Sequence, residues 1–508
     1  MKRDYRMQVS KIMVITLIII ISTATSCRMS HEERLEKYLE TIDRHEMMEW
    51  METITDERYN GRLAGTPEYM EVAEWVADKL ESWGVSPAVN GSYFQMFDQP
   101  YTVIHDVGAL KLHRKLPDGT TDIISYQAPD QYYPGMNSGS GELTAEVVYV
   151  GYGITAPELN YDDYAGVDVE GKIVLVNRDA PFRNTRDPEY ARWLPYCYHQ
   201  YKVKNAHAHG AAGFLYIDGA SANPNIAYIE DLIVKGIGSE PLNDIFDGTG
   251  KSNRELLAGI NSSFRPASFN TGKVMTIRAN TSRVEDGVTC NVIGIIEGTD
   301  PDLKHEVIIV GGHLDAVGNA GGLLVNGAID NASGVVDIMG AAKAMATSRI
   351  PLRRSVMFMF IGAEEVGLVG SELYTNAPLF PKENTVVYIN LDMAGNGTGI
   401  SVRGSYRAGG LLDFFIDAND NYVHRPLRAN APEVETPSYG RPRSDAVIFD
   451  RAGFRTMSVG TTNPVHRTIY HRPGDDISTI TIDIMEDIAR MLYVGLIDMA
   501  NADELDLR

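Results

Sequence analysis

The spacing of apolar positions changes character three times along the chain. From His31 to about Trp50, charged residues alternate with Leu35, Tyr38, Leu39 and Ile42, which predicts an amphipathic helix behind the cap candidate Ser30. Thr66-Pro67 opens a second helix, with Val72, Val76 and Leu80 four residues apart and a stop at Gly84. Residues 92–114 and 121–126 read as strands, and the Gly/Ser stretch 134–142 reads as a crossing into another unit, with a boundary near 140. Between 141 and 285 the pattern is short strands and glycine turns: Val147–Val150, Lys172–Val176 and Gly213–Ile217, with a small-residue helix over 204–212. That suits a compact α+β module. From 290 onward apolar strands (Val292–Ile296, Val307–Gly311, Ser355–Ile361, Val386–Leu391, Thr456–Val459) alternate with helices over 333–347, 368–375, 408–421 and 481–501. Continuous apolar strands alternating with helices predict an α/β fold, a mostly parallel central sheet covered by helices on both faces. Such sheets place their chemistry at the carboxyl ends of the strands.

Composition narrows the classes. With 508 residues, 44% hydrophobic and 22% charged, the chain is ordinary globular material with room for several cores, and neither disordered nor a polytopic membrane protein. A net charge of −22 repels phosphate backbones and argues against a nucleic-acid partner, so none is expected. The start is different. Lys2, Arg3, Arg6 and Lys11 precede the apolar run Ile12 to Ile21, and Ala24, Thr25 and Ser26 precede Cys27. This reads as an export signal over residues 1–26, too short to span a bilayer as a helix. Its end resembles a lipoprotein processing site without the usual Leu, which implies a lipid on Cys27 and a periplasmic or cell-surface location. Cys197 and Cys290 are too few for a disulfide framework, and their pairing is left open by the sequence.

In the last part of the chain almost every strand end bears a metal-competent side chain. Val307–Gly311 runs into His313 and Asp315; Asp330 precedes the long helix; 355–361 leads to Glu364 and Glu365; 386–391 leads to Asp392; and Tyr470-His471 follows the strand ending at 459. A lone strand-end Asp is usually a helix cap and a lone His a satisfied polar residue. Five such ligands at similar topological positions point instead to a metal site. His313, Asp330, Glu365, Asp392 and His471 form an N/O set suited to Zn²⁺, and five ligands exceed what one tetrahedral catalytic site uses, so two ions sharing one carboxylate fit. Asp315, two residues from His313, is placed to accept that imidazole's other N–H. Glu364, beside a ligand, is free to take a proton from water. His199, His207 and His209 lack acidic or Cys partners at ligand spacing and read as surface or packing residues.

The stretches GRLAGTPEY, CNVIGIIEG, VGGHLDAVG, NGAIDNASGV, IGAEEVGLVGS, NLDMAGN and YHRPGDD resemble, in that order, the co-catalytic di-zinc exopeptidases, which include secreted leucyl aminopeptidases and glutamate carboxypeptidases. GYGITAPELNYDDYAGVDVEGKIVLV and YKVKNAHAHGAAGFLYI resemble a protease-associated (PA) domain. The resemblance implies a peptidase domain in two parts, 31–140 and 286–508, around a PA insert at 141–285. It also implies two zinc ions per chain, His313 and Asp392 on one, Glu365 and His471 on the other, and Asp330 bridging, with a cis peptide after Asp330. Glu364 would be the general base and Tyr470 a hydrogen-bond donor to the oxyanion. Two positions depart from the family pattern: Ala446 follows Ser444-Asp445 where a His is frequent, and Ile329 stands where an Asp is frequent.

The expected activity is a zinc-dependent exopeptidase, foremost an aminopeptidase acting on peptide or dipeptide substrates. A carboxypeptidase or dipeptidase is the alternative; Arg403, Arg407, Arg441 and Arg443 would be candidates to hold an α-carboxylate, unless they are solvated surface residues. A glutaminyl-cyclase-like acyl transferase would use one zinc, and a non-catalytic PA-domain receptor would have lost ligands that this chain keeps. Oligomeric state does not follow from the sequence.

Overall fold

Four parallel strands, Ser355–Ile361, Val307–His313, Thr385–Leu391 and Thr456–Thr462, pair in that order at the centre of a nine-stranded sheet. The computed structural model describes residues 30–435, 438–465 and 468–507; the expected signal segment and Cys27 lie outside them. The first three of these strands are buried at every position, so both faces need cover. Alternation divides the work. Ile308, Val310, Val356, Phe358 and Phe360 face the helices Pro67–Trp83, Ser333–Ser348 and Ile482–Asn501, while Ile309, Met357 and Met359 face Val369–Asn376 and Asp445–Arg451 through Tyr374 and Phe449. The parallel core has antiparallel flanks: Val288–Ile296 against Ser355–Ile361, and Gly399–Gly404 against Thr456–Thr462.

Local signals explain the early helices. Thr66 accepts from the Tyr69 N–H, Pro67 occupies the first turn, and Gly84 ends the helix at φ 86°. The helix expected over 31–50 is two, His31–Leu39 and Arg44–Ile54. Asp43 accepts from the N–H groups of His45 and Glu46, and this cap starts the second helix inside an unbroken charge pattern.

The second unit is an eight-stranded mixed sheet, and it begins earlier than the boundary expected near 140. Phe269–Val284 pairs on one side with Gly141–Tyr149 and on the other with Tyr101–Lys115. The strands Tyr101–Lys115, Thr121–Ser125 and Tyr132–Pro134 therefore belong to the insert's sheet, not to the first part of the peptidase. Alternating polarity identifies a strand but not its partner, which is why the crossing was misplaced. Entry and exit lie side by side: Tyr101 faces Val284, and the Gln99 N–H donates to the Gly287 carbonyl at 2.7 Å. Cys197 and Cys290 are both free and buried. Among the described residues no helix is long and apolar enough to cross a membrane.

Candidate metal centre

The strand ends converge as the sheet topology requires. His313 ends Val307–His313, Glu364 and Glu365 follow Ser355–Ile361, Asp392 follows Thr385–Leu391, Asp330 precedes Ser333–Ser348, and His471 lies beyond Thr456–Thr462. Three non-glycine residues at these turns have left-handed backbones: Ala363 (φ 63°), Met393 (φ 53°) and His471 itself (φ 56°). Each such residue costs of order 1–3 kcal/mol, and such costs gather where a side chain must be aimed. The Asp330–Asn331 peptide bond is cis.

Asp330 is the hub. Its Oδ1 lies 3.1 Å from His313 Nε2 and its Oδ2 lies 3.5 Å from His471 Nε2. Asp392 Oδ1 is 3.6 Å from the His313 nitrogen, and Glu365 Oε2 is 3.0 Å from that of His471. Among the described residues three triads lie close enough to hold an ion: His313/Asp330/Asp392 and Asp330/Glu365/His471, which share the Asp330 carboxylate, and His313/Glu364/Glu365. Asp392 Oδ1, Glu365 Oε1 and His471 Nε2 are buried without a hydrogen-bond partner. Buried polar atoms are expensive when unpaired, and divalent cations in the two triads that share Asp330 are the groups that would satisfy them, so the residues present fit a metal. Electrostatics agree. Burial favours a neutral His313, but Asp315, Asp330 and Asp392 outweigh it and hold the ring well above its ordinary value. Burial, opposed by His313 and reinforced by Glu365, Asp445 and Asp392, pushes the Glu364 carboxyl well above its ordinary value, the direction that favours proton uptake.

The surrounding shell is only partly as expected. His313 Nδ1 is 3.1 Å from the Asp315 carbonyl, while the Asp315 carboxylate is 3.7 Å away, so the main chain and not the carboxylate takes the imidazole N–H. The carboxylate instead accepts the N–H groups of Glu364 and Glu365, both at 3.1 Å, and so fixes the base and its neighbouring ligand together. An extended segment brings residue 315 to the right side but does not say which of its oxygens turns inward.

Four supports were not singled out by sequence. Arg62, 1% exposed, donates to the carbonyls of Leu314 and Gly327 at 2.8 Å and to that of Asn326, tying the His313 loop to the Asp330 loop. Asp475 accepts the N–H groups of Ile329 (2.7 Å) and Asp330 (3.2 Å), and burial pushes its carboxyl up to about 7. Asn331 donates to the carbonyls of His313 and Leu391 and accepts from the Met393 N–H. Arg62 and Asp475 lie inside motifs already quoted, which was the available signal. The fourth support comes from the insert: His471 Nδ1 donates to the Ala222 carbonyl at 3.0 Å, and the Ala222 N–H returns a bond to the His471 carbonyl at 2.9 Å. Nothing local in the sequence announces it.

Tyr470 is 49% exposed and stacks on His471, ring centroids 3.8 Å apart. With Glu364, Glu365 and His471 it lines a cavity of about 200 Å³ whose other wall is the insert's Arg178, Asp218 and Asn225. Of the four arginines considered, Arg441 and Arg443 line this cavity; Arg407 pairs with Glu435 at 2.6 Å elsewhere. Asp445, beside the departing Ala446, is buried and accepts from the Ser371 hydroxyl. The insert's histidines are packing groups where buried: His199 bonds Tyr216, and His209 stacks on Tyr164 at 4.1 Å.

Comparison with known proteins finds likenesses for both parts of the chain. Residues 291–494 match the model of peptidase family M28, and residues 143–241 match the PA domain. A probable glutamate carboxypeptidase of Arthroderma benhamiae is 27% identical over 66% of this chain and 51% of its own length. Aminopeptidase YwaD of Bacillus subtilis is 24% identical over 69% of this chain and 68% of its own. The chain spans about half the length of the first of these curated relatives. In fold it is similar to an aminopeptidase from Aneurinibacillus sp. strain AM-1, with a TM-score of 0.60 at 20% identity over 93% of this chain and 98% of the other. The two matches follow the two sheets: the peptidase family M28 model falls on the part of the chain that carries the metal-competent residues, and the PA model falls on the insert.

Proposed function

We propose that the protein is a zinc-dependent exopeptidase that removes N-terminal residues from peptides. The observation that carries this is Asp330, whose two oxygens face two separate His/carboxylate pairs beside a raised Glu364. Two zinc ions would be held by His313 and Asp392, by Glu365 and His471, and by Asp330 between them; bound there, they would supply Lewis acidity to a scissile carbonyl and acidify a water.

The chain's own residues do the rest. Glu364, held by the Asp315 carboxylate through its N–H, accepts a proton from the attacking water at its carboxylate and returns it to the leaving amine. Tyr470, at the cavity mouth, donates its hydroxyl to the developing oxyanion. The insert wall restricts water and substrate to one approach, and Ala222 keeps His471 in the tautomer that offers Nε2 inward. Export by residues 1–26 and a lipid on Cys27 would put the enzyme outside the cytoplasm, where peptides are its substrate class.

The test is metal content per chain together with hydrolysis of aminoacyl amides and matched N-blocked, C-free dipeptides. Close to two zincs with cleavage of the aminoacyl amides, whose α-amine is free, supports the reading. Cleavage of the N-blocked set alone replaces it with a carboxypeptidase, one metal favours cyclase-like chemistry, and metal without turnover makes the protein a binding protein.

A further inference from the structure

His471 differs from the other four candidate ligands in what holds it. His313 and Asp392 stand at the ends of central strands, the Glu365 N–H is held by the Asp315 carboxylate, and the Asp330 N–H by Asp475, all within the peptidase part. His471 lies in the loop beyond Thr456–Thr462, and among the described residues the hydrogen bonds it makes outside the ligand cluster both go to Ala222 of the insert: its ring donates to the Ala222 carbonyl, and its own carbonyl accepts the Ala222 N–H. Ala222 moves with the insert. Asn137 donates to the carbonyls of Pro224 at 2.7 Å and Ile226 at 3.0 Å, and its side-chain oxygen accepts from Thr102 and Arg283, on the two strands that enter and leave the insert. Beyond those strands the insert rests on an apolar seat, with Tyr133, Met136 and Ala222 against Val317, Ala320 and Val325 of the peptidase part. Contacts between domains of one chain resemble transient interfaces, for which relative motion is the default. The peptidase side of the seat is fixed on its own: Arg62 donates to the carbonyls of Leu314, Asn326 and Gly327, on either side of the segment that carries it.

We propose that seating of the insert and filling of the Asp330/Glu365/His471 site are coupled: an ion there is held tightly only while Ala222 is in place, and binding it in turn seats the insert, whereas the His313/Asp330/Asp392 site fills without it. This rests on the two-ion reading of the centre and gives the two sites unequal affinities. The states differ at His471. With the insert seated, the ring is fixed with Nε2 at 3.5 Å from Asp330 and 3.0 Å from Glu365; with the insert away, Nδ1 loses its acceptor and the main chain its donor. Losing a group that orients a metal ligand costs about 10–100-fold in affinity. Linkage is reciprocal, so the factor that the seated insert adds to ion binding is the factor by which the ion favours seating.

The test is stepwise zinc binding to the chelator-stripped protein by calorimetry, with hydrogen exchange of residues 218–226 followed at each step. The wild type should show two binding steps, and the weaker one alone should slow exchange around Ala222, by about tenfold or more. His471→Ala should remove the weaker step and that protection together and leave the tighter step unchanged. Met136→Ala, on the insert's side of the seat, should weaken the second step by about tenfold or more and spare the first. Should that variant not fold, Asn137→Ala, which releases the loop after Ala222 from the entry and exit strands, is read the same way. Exchange at 218–226 that is equally slow without zinc, or that slows at the tighter step, overturns the proposal, and so does equal loss or no loss at both steps in the seat variant. Two binding steps with no response in the insert sink the coupling alone and leave the two-ion centre standing. A single bound zinc ends the two-ion reading by itself, and that ion then decides the coupling: slower exchange at 218–226 that His471→Ala abolishes supports it, and unchanged exchange overturns it.

Discussion

Arg62→Met is the sharpest test of how the centre is held. Arg62 is a fully buried cation whose donors all go to main-chain carbonyls: in three close bonds to Leu314, beside the ligand His313, and to Asn326 and Gly327, just before the ligand Asp330, and in a long one of 3.5 Å to Ile54. Removing it strands three buried acceptors at about 1–3 kcal/mol each. Against that, burial pulls the guanidinium from 12.5 to about 10, so deleting the charge returns about 3 kcal/mol of desolvation. The balance is a loss of about 3 kcal/mol in unfolding free energy. Loosening the two loops should also weaken metal binding by about 10–100-fold, the usual effect of losing a group that orients ligands. Arg62→Lys should recover little, because one ammonium cannot reach three divergent carbonyls. Urea denaturation gives the first quantity, and chelator competition for zinc gives the second. A Met variant within about 1 kcal/mol of wild type and with unchanged zinc affinity would refute the claim that Arg62 clamps the two ligand loops.

The remaining expectations address the chemistry and the insert. Glu364→Gln should lower kcat by about 10²–10⁴ with metal content unchanged; loss of metal would make Glu364 a ligand and not the base. Stripping metal with a chelator should lower the melting temperature and re-adding zinc should restore it, by about 4 kcal/mol when free zinc is a thousand times its dissociation constant; an unchanged melting curve would argue against occupancy of the centre. In the insert, burial with added repulsion from Arg278 pulls the Lys235 ammonium down to about 7. Above the unfolded value near 10.5 neither state is charged; as pH falls from there to about 7 the unfolded chain binds the extra proton, and stability is lost until the folded group also protonates. Lys235→Met should therefore be more stable than wild type at pH 6.5, by up to about 4 kcal/mol, with the advantage shrinking by pH 9.5 in paired denaturation curves. A pH-independent difference would show that Lys235 does not titrate between the two states.

What the sequence made legible was local in origin. Four strand ends and one loop each announce a donor, and because parallel strands bring their carboxyl ends together, the register of the sheet does the assembling. The misreadings arise where a residue acts on something distant or where two local readings compete. Asp43 restarts a helix inside a continuous amphipathic stripe, and Tyr101–Lys115 looks like any alternating strand until its partner, more than 150 residues later, is known. Asp315 was placed beside the right ring but given the wrong oxygen, a choice set by a backbone rotation that spacing does not encode.

The contact between His471 and Ala222 alters what the insert can be said to do. A PA domain beside a cleft invites the reading of a cover or a substrate wall, and deleting it would be the obvious test. Yet the insert's main chain exchanges two hydrogen bonds with His471, a candidate metal ligand with a left-handed backbone. Deletion would remove the acceptor that sets the tautomer of that imidazole along with the cavity wall, so lost activity would not distinguish gating from ligand orientation. The two roles separate only by substitutions that spare the Ala222 main chain while changing the wall: Arg178 and Asn225 line the cavity without touching His471 in any hydrogen bond among the described residues. If those changes alter substrate preference while zinc affinity stays fixed, the wall selects substrate and the carbonyl of Ala222 orients the ligand, two functions supported by one insert.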